Sequence, residues 1–330
     1  MMDGRQFKTF VIFEPWGLGD LLITLQLAKG LFGKNIRVIV VCDARWAEWA
    51  KSLDFIAGVI SFTPPWTSQE RKYALTRYHL KDFLRFRCEI LSARVDAICD
   101  MRGDIRNLLL LKILFPMTKF FHLCRMRFSN RYERPTAIFE KIFPGERLST
   151  QPIFRRLSRC RRFDVICFFG GAWPNRCVPE NKANEILFGL SQRGFKVAMI
   201  VPSEAGGEAR LVNESSVTRV CGSLSEIFSY IQESAICLST DSGWLHAGFA
   251  CGLPTIGMFG FSNAEEWAPP GCRLIFSHSV LPEKDRYKLK LRNVEPLQNL
   301  VTNLVLDQCN IALMSFVTAA SNERKTSPNM

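Results

Sequence analysis

No run of eighteen or more uncharged apolar residues occurs in the 330-residue chain, which excludes an ordinary membrane-spanning helix. The opening MMDGRQFKTFVIFEPWG has an acidic residue ahead of a very short apolar stretch that reads as a strand, so neither a signal peptide nor a membrane anchor is expected there. CxxC pairs are missing, and no Cys/His cluster has zinc spacing. The twelve cysteines sit mostly singly in apolar patterns, as at Cys42, Cys99, Cys167, Cys237 and Cys251. Such thiols are expected to be reduced and buried, in a soluble cytoplasmic protein.

Acidic residues are in deficit, 31 against 43 Lys and Arg, which leaves a formal net charge of +12. That excess implies an anionic partner: nucleotide phosphates, nucleic acid or an anionic membrane surface. Much of it is arginine, in RMRFSNRYER (Arg125–Arg134) and RRLSRCRR (Arg155–Arg162). A solvated face gives the same kind of run. Neither stretch has an aromatic-interleaved recognition motif, so no nucleic-acid partner is expected.

What is present is a chain of about twice the usual domain length, 47% hydrophobic and 22% charged, which suits two globular domains. Short apolar runs alternate with longer amphipathic ones, the pattern of strand-helix-strand units in a parallel sheet. Strands are expected at Thr9–Glu14, Ile36–Cys42, Ile56–Phe62, Val95–Cys99 and Lys119–Leu123, and helices near Asp20–Phe32, Ala44–Ser52, Leu75–Leu91 and Asp104–Phe115. An arginine-rich stretch from about Ser149 to Arg162 interrupts the pattern as a linker. Alternation then resumes with strands Phe163–Phe169, Phe195–Val201, Val217–Val220 and Ala235–Leu238, and helices Glu180–Arg193, Ala205–Asn213 and Leu224–Glu233. A closing helix is expected around Pro296–Phe316. The expected organisation is an N-terminal Rossmann-like domain over 1–155, a C-terminal one over 156–318 and a disordered tail over 319–330. Such α/β domains bind ligands at the carboxyl ends of their strands, and a cleft between the two is the expected place for chemistry.

Two constellations stand out. In VIFEPWGLGDLLITLQLAKGL a strand leads through Gly17 and Gly19 into a helix, glycines that allow a sharp turn and a close backbone approach. With Asp43 after the second strand this invites a dinucleotide-binding, NAD-dependent oxidoreductase reading. Against it, Leu22 stands where the third glycine of G-x-G-x-x-G belongs, and Asp20 sets a carboxylate where a pyrophosphate would dock. Asp20 is either a helix cap or a general base at the sheet's carboxyl edge. In LSTDSGWLH the strand is expected to end at Leu238 and a helix to start near Ser242. Ser239, Thr240 and Asp241 then fall in the turn beside unpaired backbone N–H groups. Those groups, the Ser242 hydroxyl and Gly243 suit an anion, and His246 lies one turn in on the same face. A capped helix with a satisfied histidine would give the same letters. Small residues from Ala247 to Gly252 favour close packing on the sheet.

The stretch Thr240–Gly260, TDSGWLHAGFACGLPTIGMFG, resembles the D-[ST]-G-x-x-H-x-A-x-A-x-G-x-P-T-[IV]-x-[LM]-F-G signature of glycosyltransferase family 9, the ADP-heptose:lipopolysaccharide heptosyltransferase family. Gly248 and Phe249 depart from it. GLGDLLITLQLAKGL, CDMRGDIRNLLLL, FFGGAWPNRCVPENKANEILFGLSQRGFKVAMI and SNAEEWAPPG are similar to further motifs of that family and follow in its order, from Phe10 to about Gly271. Arg176 falls where a phosphate-contacting lysine is usual, and Val178 where the family has tryptophan.

The resemblance implies a GT-B fold and inverting, metal-independent transfer of a sugar, heptose from ADP-heptose, onto a saccharide of the lipopolysaccharide core or a related acceptor. No DxD-like metal motif occurs, and no cofactor is expected beyond the nucleotide-sugar donor. Asp20 is then the implied catalytic base. Arg176, Thr240, Ser242, Gly243 and His246 are expected at the donor, and Asp241 at sugar hydroxyls or as a cap. Glu204 or Glu208 is expected at the ribose. Gly19, Arg102 and Arg106 are expected at an anionic acceptor, unless the two arginines pair with Asp100 and Asp104. A glycolipid acceptor implies peripheral contact with the cytoplasmic face of an inner membrane. A non-catalytic relative that only binds a nucleotide sugar is the alternative.

Overall fold

The computed structural model describes residues 7–67, 79–123, 126, 128–149, 152–154, 161–171, 174–201, 217–277 and 296–326, with backbone alone over 319–326. The chain divides into two compact units, Met1–Gln151 and Pro152–Met330.

In the first unit, strands β1 (Thr9–Phe13), β2 (Arg37–Cys42), β3 (Gly58–Ser61), β4 (Ala97–Asp100) and β5 (Lys119–His122) form one parallel sheet in the order β3-β2-β1-β4-β5. The central strand TFVIF is buried at every residue, as a parallel strand covered on both faces must be. Helices α1 (Leu18–Phe32), α2 (Ala44–Lys51), α3 (Leu80–Ser92) and α4 (Ile105–Leu114) connect the strands. Phe86 and Ile90 of α3 and Leu111 of α4 share one core with Val11, Phe13, Ile39, Val41 and Ile98, so these two helices cover the same face of the sheet. A fifth helix, α5 (Glu133–Ile142), packs along α1. It lies in and beyond the first arginine-rich stretch, where charge and Pro135 conceal the buried row Ile138, Phe139 and Ile142.

In the second unit, β6 (Phe163–Phe168), β7 (Val197–Ile200), β8 (Val217–Val220), β9 (Ser234–Thr240), β10 (Thr255–Phe259) and β11 (Arg273–Phe276) form a parallel sheet ordered β11-β10-β9-β6-β7-β8. Its helices are α6 (Glu180–Gln192), α7 (Leu224–Gln232), α8 (Gly243–Ala250), the short α9 (Ala264–Trp267) and α10 (Thr302–Thr326). A Cβ on Gly248 would lie 2.6 Å from the Cβ of Cys237; only glycine lets α8 approach β9 so closely.

Two expectations change. Strand β9 runs on to Thr240 rather than stopping at Leu238, and Ser239 and Thr240 are buried in it. The parallel register continues the pairing there, with Gly257 opposite Ser239 and Met258 opposite Thr240. The last helix extends to Thr326 through the segment expected to be a disordered tail, because no Gly or Pro interrupts SNERKT before Pro328. The helix expected at Ala205–Asn213 lies outside the described residues.

In each sheet the strand order reverses at one point, between β1 and β4 in the first and between β6 and β9 in the second. Ligands of open α/β sheets bind outside the carboxyl ends of the strands at such a reversal.

Candidate functional site

At the β1/β4 reversal, Glu14 follows β1 and Asp100 ends β4. Asp20 lies in the first turn of α1, whose N-cap is Gly17. Helix α1 therefore begins before Asp20, and Gly19 is inside its first turn rather than in a flexible loop. Gly17 has φ −72° and ψ 164°, ordinary extended backbone, so this turn does not rest on a left-handed glycine. Asp20 Oδ1 accepts from Arg131 Nη1 at 2.8 Å, and its Oδ2 from Arg102 Nη1 at 3.5 Å. The Arg102 guanidinium stacks 3.6 Å above the Trp16 ring, and the carbonyl of Trp16 accepts from Trp46 Nε1 at 3.2 Å, which pins the turn. A carboxylate gripped by two planar guanidiniums has a fixed orientation.

Arg131 carries this arrangement, although in the sequence it belongs to an apparently solvated charge run. It is 8% exposed, and the seating of α5 against α1 brings it to Asp20 across 111 residues of chain. Arg102 pairs with Asp20 rather than with the Asp100 carboxylate, which receives only its backbone N–H at 3.3 Å. Arg106 does form the expected alternative, bonding Asp104 through Nη2 at 2.6 Å and Nε at 3.0 Å. Asp104 also caps α4 by accepting from the Arg106 N–H, so the Arg106 head is tied back to its own helix start.

Glu14 is the second residue the sequence conceals, since it reads as the polar end of a strand. It is buried, and its Oε1 has no hydrogen-bond partner. It lines a small cavity with Asp20, Thr24, Met101, Arg131 and Arg134. Burial first, then the charge of Asp20, push its pKa up to about 8, with Arg102 and Arg131 acting in the opposite sense. Asp100 is raised to about 6, again chiefly by burial, while the Asn107 amide bonded at 3.2 Å lowers it. Glu14 is thus far easier to protonate than an ordinary glutamate, and Asp20 faces it with two cations alongside.

The raised pKa has a signed consequence. A carboxyl with a folded pKa above its unfolded value binds its proton more tightly in the folded state. Its contribution to stability is complete below about 4.5 and is lost as pH rises to about 8. The Glu14→Gln variant keeps the neutral shape and loses the titration. Its melting temperature relative to the wild type is expected to rise steadily from pH 5 to pH 8 and to level off above. A difference that is flat over that range in parallel thermal scans would contradict a proton on Glu14.

At the β6/β9 reversal, Asp241 follows β9 and Ser242 is the N-cap of α8, its hydroxyl accepting from the Trp244 N–H at 3.3 Å. The cap is therefore Ser242, and Asp241 is left for another purpose. Asp241 is 5% exposed, and its Oδ2 lies 3.5 Å from Arg176 Nη1 without a hydrogen bond. This is a charge contact with acceptor capacity to spare. Arg176 is held by its loop: Val178 N–H donates to Phe169 O at 2.8 Å, and a Cβ on Gly171 would meet the Arg176 carbonyl at 2.8 Å. Thr240 Oγ1 donates to the carbonyl of Gly170, so its hydroxyl bridges two strand ends. Gly243 opens α8, and His246 is 3% exposed inside that helix. Glu204 and Glu208 lie outside the described residues.

Asp43 bears on the dinucleotide reading. Its carboxylate caps α2 by accepting from the Arg45 N–H at 3.0 Å, and it also takes Arg45 Nε and the Thr63 hydroxyl. An acid committed in this way is not free to receive a ribose. Among the described residues, no three His, Cys, Asp or Glu side chains are grouped to hold a metal ion.

The family model of glycosyltransferase family 9 (heptosyltransferase) matches residues 149–293, the segment containing Arg176, Asp241 and α8. The second unit therefore resembles a family 9 glycosyltransferase. The fold extends the likeness to most of the chain. A family 9 glycosyltransferase from Veillonella parvula DSM 2008 is similar with TM-score 0.69 at 15% identity, over 94% of this chain and 98% of its own. The E. coli heptosyltransferase WaaC with ADP is similar with TM-score 0.70 at 15% identity, over 92% and 99%. E. coli ADP-heptose lps heptosyltransferase II gives TM-score 0.66 at 16% identity, over 94% and 99%. No curated protein sequence matches. The fold is GT-B, in agreement with the sequence motifs, and the protein is a glycosyltransferase.

Proposed function

We propose that this glycosyltransferase moves heptose from ADP-heptose, with inversion and without a metal, onto a saccharide acceptor of the lipopolysaccharide-core type. The observation that carries the reading is the placement of Arg176 and the under-bonded Asp241 at the start of α8, within the segment that matches the heptosyltransferase family model. The E. coli relative WaaC is described with ADP and with ADP-2-deoxy-2-fluoro heptose, which supports the choice of donor.

In the proposed reaction the acceptor hydroxyl gives its proton to Asp20 as its oxygen bonds to the anomeric carbon. The bond from that carbon to the diphosphate breaks, and the electron pair leaves with the phosphate oxygen. Arg176 and the backbone N–H groups at Ser242 and Gly243 receive that charge. Asp241 accepts from hydroxyls of the sugar. Thr240 is reserved for its strand-end bridge, and His246 supports α8 from within. Arg102 acts through Asp20 rather than by gripping an acceptor directly. The acceptor is an anionic glycolipid, reached from the cytoplasmic side of an inner membrane, and the net charge of +12 supports that.

A donor screen tests the proposal. Release of nucleoside diphosphate from ADP-heptose, with acceptor glycolipid present, should exceed that from other nucleotide sugars. No turnover with any donor, despite tight nucleotide binding, would leave the non-catalytic reading in its place.

A further inference from the structure

Beyond the site, one surface has a composition that solvent alone does not explain. On α4, Ile105, Leu109 and Ile113 recur every four residues along the side facing away from the sheet, followed by Met117 in the next turn. Ile113 is 76% exposed and Met117 96%. On α3, Leu84 and Leu91 are half-exposed on the side opposite the buried Phe86 and Ile90. The two helices are neighbours: Arg87 Nε donates to the Leu114 carbonyl at 3.1 Å, and the Phe86 and Phe115 rings are 5.7 Å apart. Single exposed apolar side chains are ordinary, but aligned rows on adjacent helices form a patch, and patches mark partners.

The rim of the patch indicates which partner. Lys81, Arg85, Arg87 and Lys112 are exposed on the same two helices. Their carboxylate neighbours are fewer: Asp82 and Glu89 both lie beside Arg85, at 3.8 Å and 4.0 Å. An apolar strip edged with basic side chains matches the boundary between lipid headgroups and acyl chains, where the strip is buried and the cations meet anionic heads. Pairing two copies of this face would instead bring like charges together.

We propose that the outer face of α3 and α4 docks on an anionic lipid bilayer, with Leu109, Ile113 and Met117 entering the headgroup boundary. This rests on the membrane part of the proposed function and not on the transfer chemistry, because it is read without donor or acceptor.

The full chain is sedimented with vesicles of phosphatidylcholine alone, or of phosphatidylcholine with about 30 mol% phosphatidylglycerol. The wild type is expected to go down with the anionic vesicles only, and less as salt rises above ~0.1 M. The double variant Leu109→Glu/Ile113→Glu should lose about tenfold or more of that binding, since it sets two carboxylates into the strip. Phe188→Glu, an exposed apolar position on α6, should bind like the wild type, and melting curves should show all three folded. Failure of the wild type to bind anionic vesicles, or undiminished binding by the double variant, would overturn the proposal. So would a concentration-dependent dimer, seen by analytical ultracentrifugation, that the double variant abolishes; that result would assign the face to a second copy.

Discussion

Asp20→Asn should lower kcat by about 10²-fold or more, the usual scale for removal of a general base, while leaving donor binding within about twofold. Asparagine keeps the shape of the side chain and an acceptor oxygen for Arg131 at 2.8 Å, but it cannot take a proton at neutral pH. The fold should tolerate the change because Glu14 lies ready as a replacement charge. The charge of Asp20 is one cause of its raised pKa, so neutralising Asp20 lets Glu14 ionise at lower pH beside the same two arginines. The measurement is nucleoside diphosphate release at saturating donor and acceptor, together with nucleotide affinity from a thermal shift. A variant that turns over within a few-fold of the wild type would remove Asp20 from the chemistry and leave it a structural anchor for Arg131 and Arg102.

Arg176→Ala is expected to reduce kcat/KM for the donor by about 10²-fold, comparable to loss of one preorganised donor to a developing oxyanion. The argument combines reach and support. The side chain is partly exposed, at 30%, and its backbone is fixed by the bond from Val178 to Phe169 and by the close approach of Gly171. It also faces Asp241, so its removal leaves a carboxylate that is 5% exposed without a cation. A second variant separates these effects. Arg176→Lys restores a positive charge but not the planar fork, and should recover part of the lost kcat/KM while leaving KM above the wild-type value. Equal loss in both variants, with unchanged nucleotide affinity, would mean that Arg176 serves Asp241 and not the donor.

These two residues differ in how openly the sequence displays them. Asp241, Ser242, Gly243 and His246 fall within six residues of chain, and a strand running into a helix start is written in local spacing. The assignment of roles among them was not. Ser242 and Asp241 are both good caps by type, and only the backbone at the start of α8 shows which hydroxyl or carboxylate meets the Trp244 N–H. Extending β9 by two residues took Ser239 and Thr240 out of the turn, because the parallel pairing with β10 continues through both.

In the first unit, composition misdirected the reading of Arg131. An arginine among RMRFSNRYER looks solvated, yet α5 buries Ile138, Phe139 and Ile142 and brings the start of its helix against α1. Arg106 shows the reverse case: its partner is two residues away, so the ion pair with Asp104 was legible.

By itself the sequence determined the succession of strands and helices, the parallel character of both sheets and the likeness of the second unit to family 9 glycosyltransferases. Each of these depends on residues close along the chain, on period and on motif. Tertiary structure alone decided that Arg131 and Arg102, at separations of 111 and 82 residues, close on Asp20. It also decided that the pKa of Glu14 is pushed well above the usual carboxylate range. Burial and Coulomb interactions act through space, and spacing along a chain does not encode them until the chain has folded.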